Sequence, residues 1–138
     1  MTIKTQNLGY PRIGAKRELK KALEAYWKGK TSLEELEQTA AELRKIHWQN
    51  QKAAGIDIIP SNDFSYYDHV LDTVTLVGVV PKRFQFKGDK VDLDLYFTMA
   101  RGVKPGASRK METQAMEMTK WFNTNYHYIV PEFEENQT

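Results

Sequence analysis

Short apolar runs alternate with amphipathic stretches along this chain, and that alternation limits the folds it can reach. Ile3 to Leu8, Ile56 to Pro60 and Tyr126 to Val130 have strand length and β-branched or aromatic character, and Gly9, Ser61-Asn62-Asp63 and Pro131 bound them with turn chemistry. Between them the apolar period changes to that of a helix. Leu19, Leu23 and Tyr26 recur at four and three, predicting a helix from near Ala15 to a stop at Gly29. Ser32 and Glu35 have capping-box spacing, and Leu33, Leu36, Ala40, Leu43 and His47 then repeat at three and four until Gly55. Further helices are expected from Tyr66 to Val77, from Asp92 to Ala100 with Asp92 as its cap, and from Glu112 to Phe122. Strands separated by helices point to βαβ units and a parallel sheet, the α/β class. The chain ends at Thr138, soon after the third expected strand, so a truncated fold is expected, with open strand edges that invite self-association.

The stretch from Val103 to Arg109, extending to about residue 110, carries Pro105, Gly106 and Ser108 and is the best linker candidate. There is no fixed-period repeat. No run approaches the roughly 18 apolar residues of a membrane span. The N-terminus lacks the apolar core of an export signal, which makes the cytoplasm the expected compartment. The sequence has no cysteine, which excludes disulfides and thiolate metal sites within it.

Charge is unevenly placed. Of 20 basic and 18 acidic residues, eight basic and two acidic ones lie in residues 1–30, a local excess of +6; the remaining 12 basic and 16 acidic residues give −4. Such a field suits an anionic ligand or surface, although a solvated basic helix face is the commoner explanation. The loop from Gly9 to Gly14 leads into the first expected helix, whose N-terminus offers free N–H groups and partial positive charge. With a helix start near Ala15, Arg17 and Lys20 fall three apart on one face, suited to a multiply charged anion. Gly9 and Gly14 have P-loop spacing, but Ala15 stands where that motif needs Lys and Arg17 replaces its hydroxyl residue, so a P-loop is rejected.

Other chemistry is sparse. His47 lies on an apolar helix stripe and reads as structural. Asp63, Asp68, His69 and Asp72 lack metal-ligand spacing, since adjacent helical residues point about 100° apart. No nucleophile–base arrangement is visible. The segment from Lys120 to Tyr128 interleaves aromatics with amides; it reads as core plus rim or as a platform for a flat ring, and composition favours core.

Three blocks carry a resemblance. Leu8 to Gly14 with Arg17 to Ala22, Ile59 to Phe64 with Tyr67 to Leu71, and Met118 to Tyr128 closely resemble, in order, the start of cobalamin-independent methionine synthase. The likeness runs from about residue 3 to 133 and fades over Val103 to Gln114, so Arg109 and Lys110 receive no role. It implies that residues 1–138 are the N-terminal part of a folate-binding barrel, roughly the first three βα units of a partial (βα)8 TIM-type barrel. It further implies methyl transfer from 5-methyltetrahydropteroyltri-L-glutamate to L-homocysteine, with homocysteine and a catalytic zinc held by a second barrel outside this chain. No catalytic residue or metal ligand is then expected here. Binding of the folate's polyglutamate tail would fall, by matching positions, to Arg17, Glu18, Leu19 and Lys20, to Lys120 and to Asn125, with Glu18 contributing backbone contacts or orienting a neighbouring base. Lys120 fits awkwardly, because it precedes the third expected strand whereas barrel sites follow strands. The alternative is an autonomous single-stranded nucleic-acid-binding module built on the basic first helix and the aromatic segment. The net charge of +2 and the acidic remainder argue against it, leaving no nucleic-acid or membrane partner expected.

Overall fold

A computed structural model describes residues 3–103, 114–135 and 137. The chain forms two compact units, Met1–Tyr66 and Tyr67–Thr138. Among the described residues there are four α-helices and one two-stranded sheet, an α/β composition.

The first unit is built on α1 (Glu18–Trp27) and α2 (Leu33–Ala53), which pack together. Helix α2 starts where its sequence dictates: Ser32 Oγ accepts from Glu35 N–H (3.2 Å) while Glu35 Oε2 accepts from Ser32 N–H (2.8 Å). Its buried face is Leu36, Ala40, Leu43, His47 and Gln51, one residue per turn, and Leu19 and Leu23 of α1 are buried as well. Gly55, at φ 80°, ends α2: its N–H bonds Lys52 O and that of Ile56 bonds Gln51 O, the paired closure that needs a left-handed residue. Gly29 and Gly78 close α1 and α3 with the same pair of bonds.

The first two expected strands shrink to a single parallel bridge, Gln6 with Ile58. Their direction is as anticipated, but side chains replace the ladder. Thr5 N–H donates to Asp57 Oδ2 (2.8 Å), and Asp57 N–H donates to Thr5 Oγ1 (3.1 Å). Ile3, Leu8 and Ile58 are exposed, so no buried face selects a longer register.

In the second unit α3 (His69–Leu76) is capped by Asp68 and α4 (Leu93–Arg101) by Asp92, whose Oδ1 accepts from Leu95 N–H at 2.7 Å. Leu71 and Val74 of α3 are buried, as are Leu95, Tyr96, Phe97, Met99 and Ala100 of α4. A 3₁₀ turn, Lys82–Phe84, carries Arg83 into a two-pronged pair with Glu132, its NH2 reaching Oε1 at 2.6 Å and its NH1 bonding Oε2. Those hydrogen bonds raise the guanidinium pKa further.

The helix expected over Glu112 to Phe122 is not formed by its described part. Residues 114–117 are irregular, and Met118–Lys120 is a strand, β1, antiparallel to β2 (His127–Ile129), with Met118 opposite Ile129, Thr119 opposite Tyr128 and Lys120 opposite His127. The third expected strand therefore exists, shortened, in an antiparallel hairpin and not a parallel sheet. Asn123, Thr124 and Asn125 are turn formers between two pairable runs, and Trp121 N–H closes the tip on Tyr126 O at 2.8 Å. Helix α3 packs on β2 and on α4. Of the linker-like stretch, residues 104–110 lie outside the described residues.

Candidate functional site

Two groups of the expected site residues lie in different units. In the first, the loop from Gly9 to Gly14 is sewn down at several points. Tyr10 N–H donates to Asp63 Oδ2 (2.7 Å), the Tyr10 ring stacks on His47 with centroids 4.5 Å apart, and Asn50 Nδ2 donates to the Tyr10 hydroxyl (3.1 Å). Arg12 NH1 donates to the carbonyls of Ser65 (3.0 Å) and Tyr66 (3.1 Å). This cation is committed to backbone oxygens, a role the sequence did not disclose.

The loop delivers the chain into α1 through a left-handed residue. Arg17 is the N-cap, at φ 62° and ψ 37°, with its N–H on Gly14 O (3.1 Å), and Leu19 N–H bonds Ile13 O (3.1 Å). The helix thus begins three residues later than expected, and Arg17 and Lys20 do not share a helical face, because Arg17 is outside the helix. Both side chains are exposed. Lys20 pairs with Glu24 at 3.6 Å, but both partners are about half exposed and such a pair contributes at most about 0.5 kcal/mol, so an anion can recruit the ammonium.

Glu18 and Leu19 behave differently from their basic neighbours. Leu19 is fully buried, a core side chain. Glu18 turns its carboxylate back onto the loop, where Oε2 accepts from Lys16 N–H at 2.9 Å. Bonds from its own N–H and from that of Lys16 hold its pKa below the ordinary 4.5. A built-in carboxylate therefore already occupies donors at the start of α1, and an incoming anion meets Arg17 and Lys20 more readily than the helix end itself.

In the second unit Lys120 ends β1 and is exposed, and Asn125 lies in the exposed hairpin tip, its carbonyl 3.1 Å from His127 Nδ1. Lys120 precedes β2 because it belongs to that strand's antiparallel partner. The aromatics expected in the core are largely outside it: Trp121, Phe122 and Tyr126 are exposed, with the Trp121 ring edge-on to Phe122 (5.0 Å) and Tyr128 (5.7 Å). A two-stranded hairpin has too little area to cover them.

The residue that sequence reasoning most undervalued is Asp68. It is 3% exposed, and it accepts from Tyr126 OH on Oδ1 (2.6 Å) and from Leu71 N–H (3.0 Å) and Ile129 N–H (3.1 Å) on Oδ2. The signal available was an Asp immediately before an apolar helix, the N-cap position.

Four groups of the first unit hold fewer protons folded than unfolded. Burial pushes His47 below its ordinary 6.5, against the opposing pull of Asp63 and Glu18. Hydrogen bonds lower Glu18, Glu34 (from its own N–H, then Ser32) and Asp57 (from Thr5). Each contribution is present above the unfolded pKa and lost as pH falls through the folded one, so stability should drop first below about 6.5 through His47 and again below about 4.5 through the carboxylates. Urea denaturation followed by backbone exchange in α1 and α2 at about pH 7.5, 5.5 and 3.5 checks this; equal stability at the first two values would eliminate the His47 contribution.

Comparison with known families decides what this arrangement belongs to. Residues 4–138 match the family model described as cobalamin-independent synthase, N-terminal domain. The chain belongs to this family. Similar curated proteins include the 5-methyltetrahydropteroyltriglutamate–homocysteine methyltransferases of Salinibacter ruber (59% identical, covering 96% of this chain and 17% of that protein) and Nitrosomonas europaea (59%, 95% and 16%). That of Flavobacterium johnsoniae is 56% identical over 98% of the chain and 17% of its own length. The chain thus spans about a sixth of the length of the synthases it matches.

Family membership raises the question of a metal. Among the described residues no group of three or more His, Cys, Asp and Glu side chains is placed to hold one. Asp68 and Asp72, the best acidic candidates, already accept from Tyr126 and Tyr96 at 2.6 Å each. Among the described residues no set fits a zinc centre. No helix is long and apolar enough among the described residues to cross a membrane.

Proposed function

We propose that this chain is the N-terminal part of a methyltransferase that moves the methyl group of 5-methyltetrahydropteroyltri-L-glutamate to L-homocysteine, and that its own task is to hold the folate's triglutamate tail. Family membership carries the reaction class. The exposed pair Arg17 and Lys20, in a segment of +6 charge, carries the assignment of the tail. Three γ-linked carboxylate-bearing residues need several cations with little competing acid. Arg17 offers a planar two-pronged donor and Lys20 a mobile ammonium. In the second unit the exposed Lys120 and Asn125 are proposed, each by itself, as contacts for a carboxylate of such a tail. Glu18 orders the turn that presents Arg17, and Leu19 anchors α1 in the core, so both serve the site indirectly.

In this reading the chain supplies the opening βα units of a (βα)8 barrel, while homocysteine, zinc and its ligands belong to a further barrel, and the reaction takes place in the cytoplasm. Nothing in the residues described favours nucleic acid over a folate anion.

Titration of the intact protein with pteroyltriglutamate and pteroylmonoglutamate tests the assignment. Lys20→Ala and Lys120→Ala should each weaken the triglutamate about tenfold, the loss of one charge-assisted contact, and change the monoglutamate little. Unchanged triglutamate affinity in both variants would sink the site.

A further inference from the structure

The hairpin tip that carries Lys120 and Asn125 has almost no packing of its own. Residues 121–126 are all exposed, and Phe122 sits at φ 48°, a left-handed conformation that a bulky residue does not favour. Its shape is held by hydrogen bonds. Trp121 N–H donates to Tyr126 O (2.8 Å), Thr124 Oγ1 donates to Trp121 O (2.6 Å), and Tyr126 N–H donates to Thr124 Oγ1 (3.2 Å). Every one of these bonds leads to Tyr126 or Trp121. Tyr126 is in turn tied to the protein interior by its hydroxyl, 2.6 Å from Asp68 Oδ1.

Asp68 is more than its capping role requires. One oxygen suffices to cap α3, and Oδ2 does so through Leu71 N–H while also holding Ile129 N–H of β2. A Ser or Thr would cap as well. Only a second acceptor on the same rigid group reaches Tyr126 at the same time. The carboxylate is itself fixed: Asp68 N–H donates to the Tyr96 hydroxyl (3.2 Å), which donates to Asp72 Oδ1 (2.6 Å). A buried, fully engaged carboxylate is a firm reference point for an exposed loop.

We infer that Asp68, acting through the Tyr126 hydroxyl, is a positioning residue that sets the hairpin tip and thereby how Lys120 meets the substrate's anionic tail. The inference rests on the proposed role of Lys120. Tyr126→Phe is the decisive variant, because it removes one hydroxyl and leaves both backbone donors on Asp68, so α3 and β2 keep their anchor. In the intact protein it should weaken pteroyltriglutamate on the order of fivefold, leave pteroylmonoglutamate unchanged, and have no further effect in a Lys120→Ala background. Asp68→Asn keeps an oxygen for the two backbone N–H groups and turns an amide N–H donor towards the Tyr126 hydroxyl, so it should weaken the triglutamate less than Tyr126→Phe does. Far-UV circular dichroism confirms that each variant is folded. A merely structural contact would lower the melting temperature without changing the preference for triglutamate over monoglutamate. Unchanged triglutamate affinity in Tyr126→Phe, or a loss that simply multiplies that of Lys120→Ala, would overturn the inference and leave the site standing. No loss in Lys120→Ala itself would overturn the reading of the site, and the inference with it.

Discussion

Replacing Asp68 by alanine is expected to destabilise the second unit by about 2–5 kcal/mol, the sum of a lost helix cap and a buried amide left without an acceptor. The cap bond to Leu71 N–H accounts for about 1–2 kcal/mol of this. Ile129 is fully buried, so its N–H finds no water once Asp68 Oδ2 is gone, and an orphaned buried donor costs about 1–3 kcal/mol. Tyr126 contributes least, because its ring is partly exposed and its hydroxyl can turn to solvent. Natural domains have net stabilities of roughly 5–15 kcal/mol, and a unit of this size belongs at the low end, so the substitution should leave α3 and the hairpin unprotected. Urea denaturation with amide exchange at Leu71 and Ile129 measures it. Asp68→Asn should lose far less, and an alanine variant within about 1 kcal/mol of wild type would contradict the account of Asp68 as the joint between α3 and β2.

Gly14→Ala should cost about 2–4 kcal/mol in the first unit and weaken anion binding as well. Gly14 has φ +85°, a region in which an L side chain is strained by about 1–2 kcal/mol. A Cβ there would collide with Glu18 Oε2 and approach Leu43 Cδ2 to 2.9 Å. The carboxylate can swing away, but it then gives up the Lys16 N–H; Leu43 is in the α1–α2 core and can yield only by disturbing its neighbours. The Gly14 carbonyl also accepts Arg17 N–H, so a shift in this residue reaches the N-cap that presents Arg17. A double variant with Glu18→Ala separates the causes: relief of most of the loss would assign it to the carboxylate, whereas a persistent loss assigns it to φ and Leu43. Thermal melts of the three variants read this directly.

These two residues mark opposite degrees of legibility. Gly14 is legible in the sequence as part of a glycine-bounded loop before a helix. The start of that helix is less so: it lies at Glu18 and not near Ala15, which places Arg17 on the left-handed turn. Side-chain spacing could not reveal this, since the start depends on Glu18 folding back onto Lys16 N–H. Asp68 was visible only as one carboxylate among several. Its importance comes from Ile129 and Tyr126, 61 and 58 residues further along, contacts that no local pattern encodes.

Local chemistry in the sequence determined the helices. The Ser32–Glu35 box, the Asp92 cap, the closures at Gly29 and Gly55 and the three-and-four periodicity each act within a few residues, so α1, α2 and α4 were readable to within about three residues at either end. The excess of basic residues over 1–30 was equally readable, because charge needs no fold to be counted. Only the tertiary structure decided the pairing of extended segments. Whether Met118–Lys120 continues a helix or becomes a strand depends on His127–Ile129 lying beside it, and Ile3 to Leu8 keeps one bridge because Asp57 and Thr5 exchange the bonds a ladder would use. A helix satisfies its own backbone, whereas a strand borrows its hydrogen bonds from residues distant in sequence; the same borrowing turns Asp68 from one more acidic residue into the anchor of the hairpin that bears Lys120.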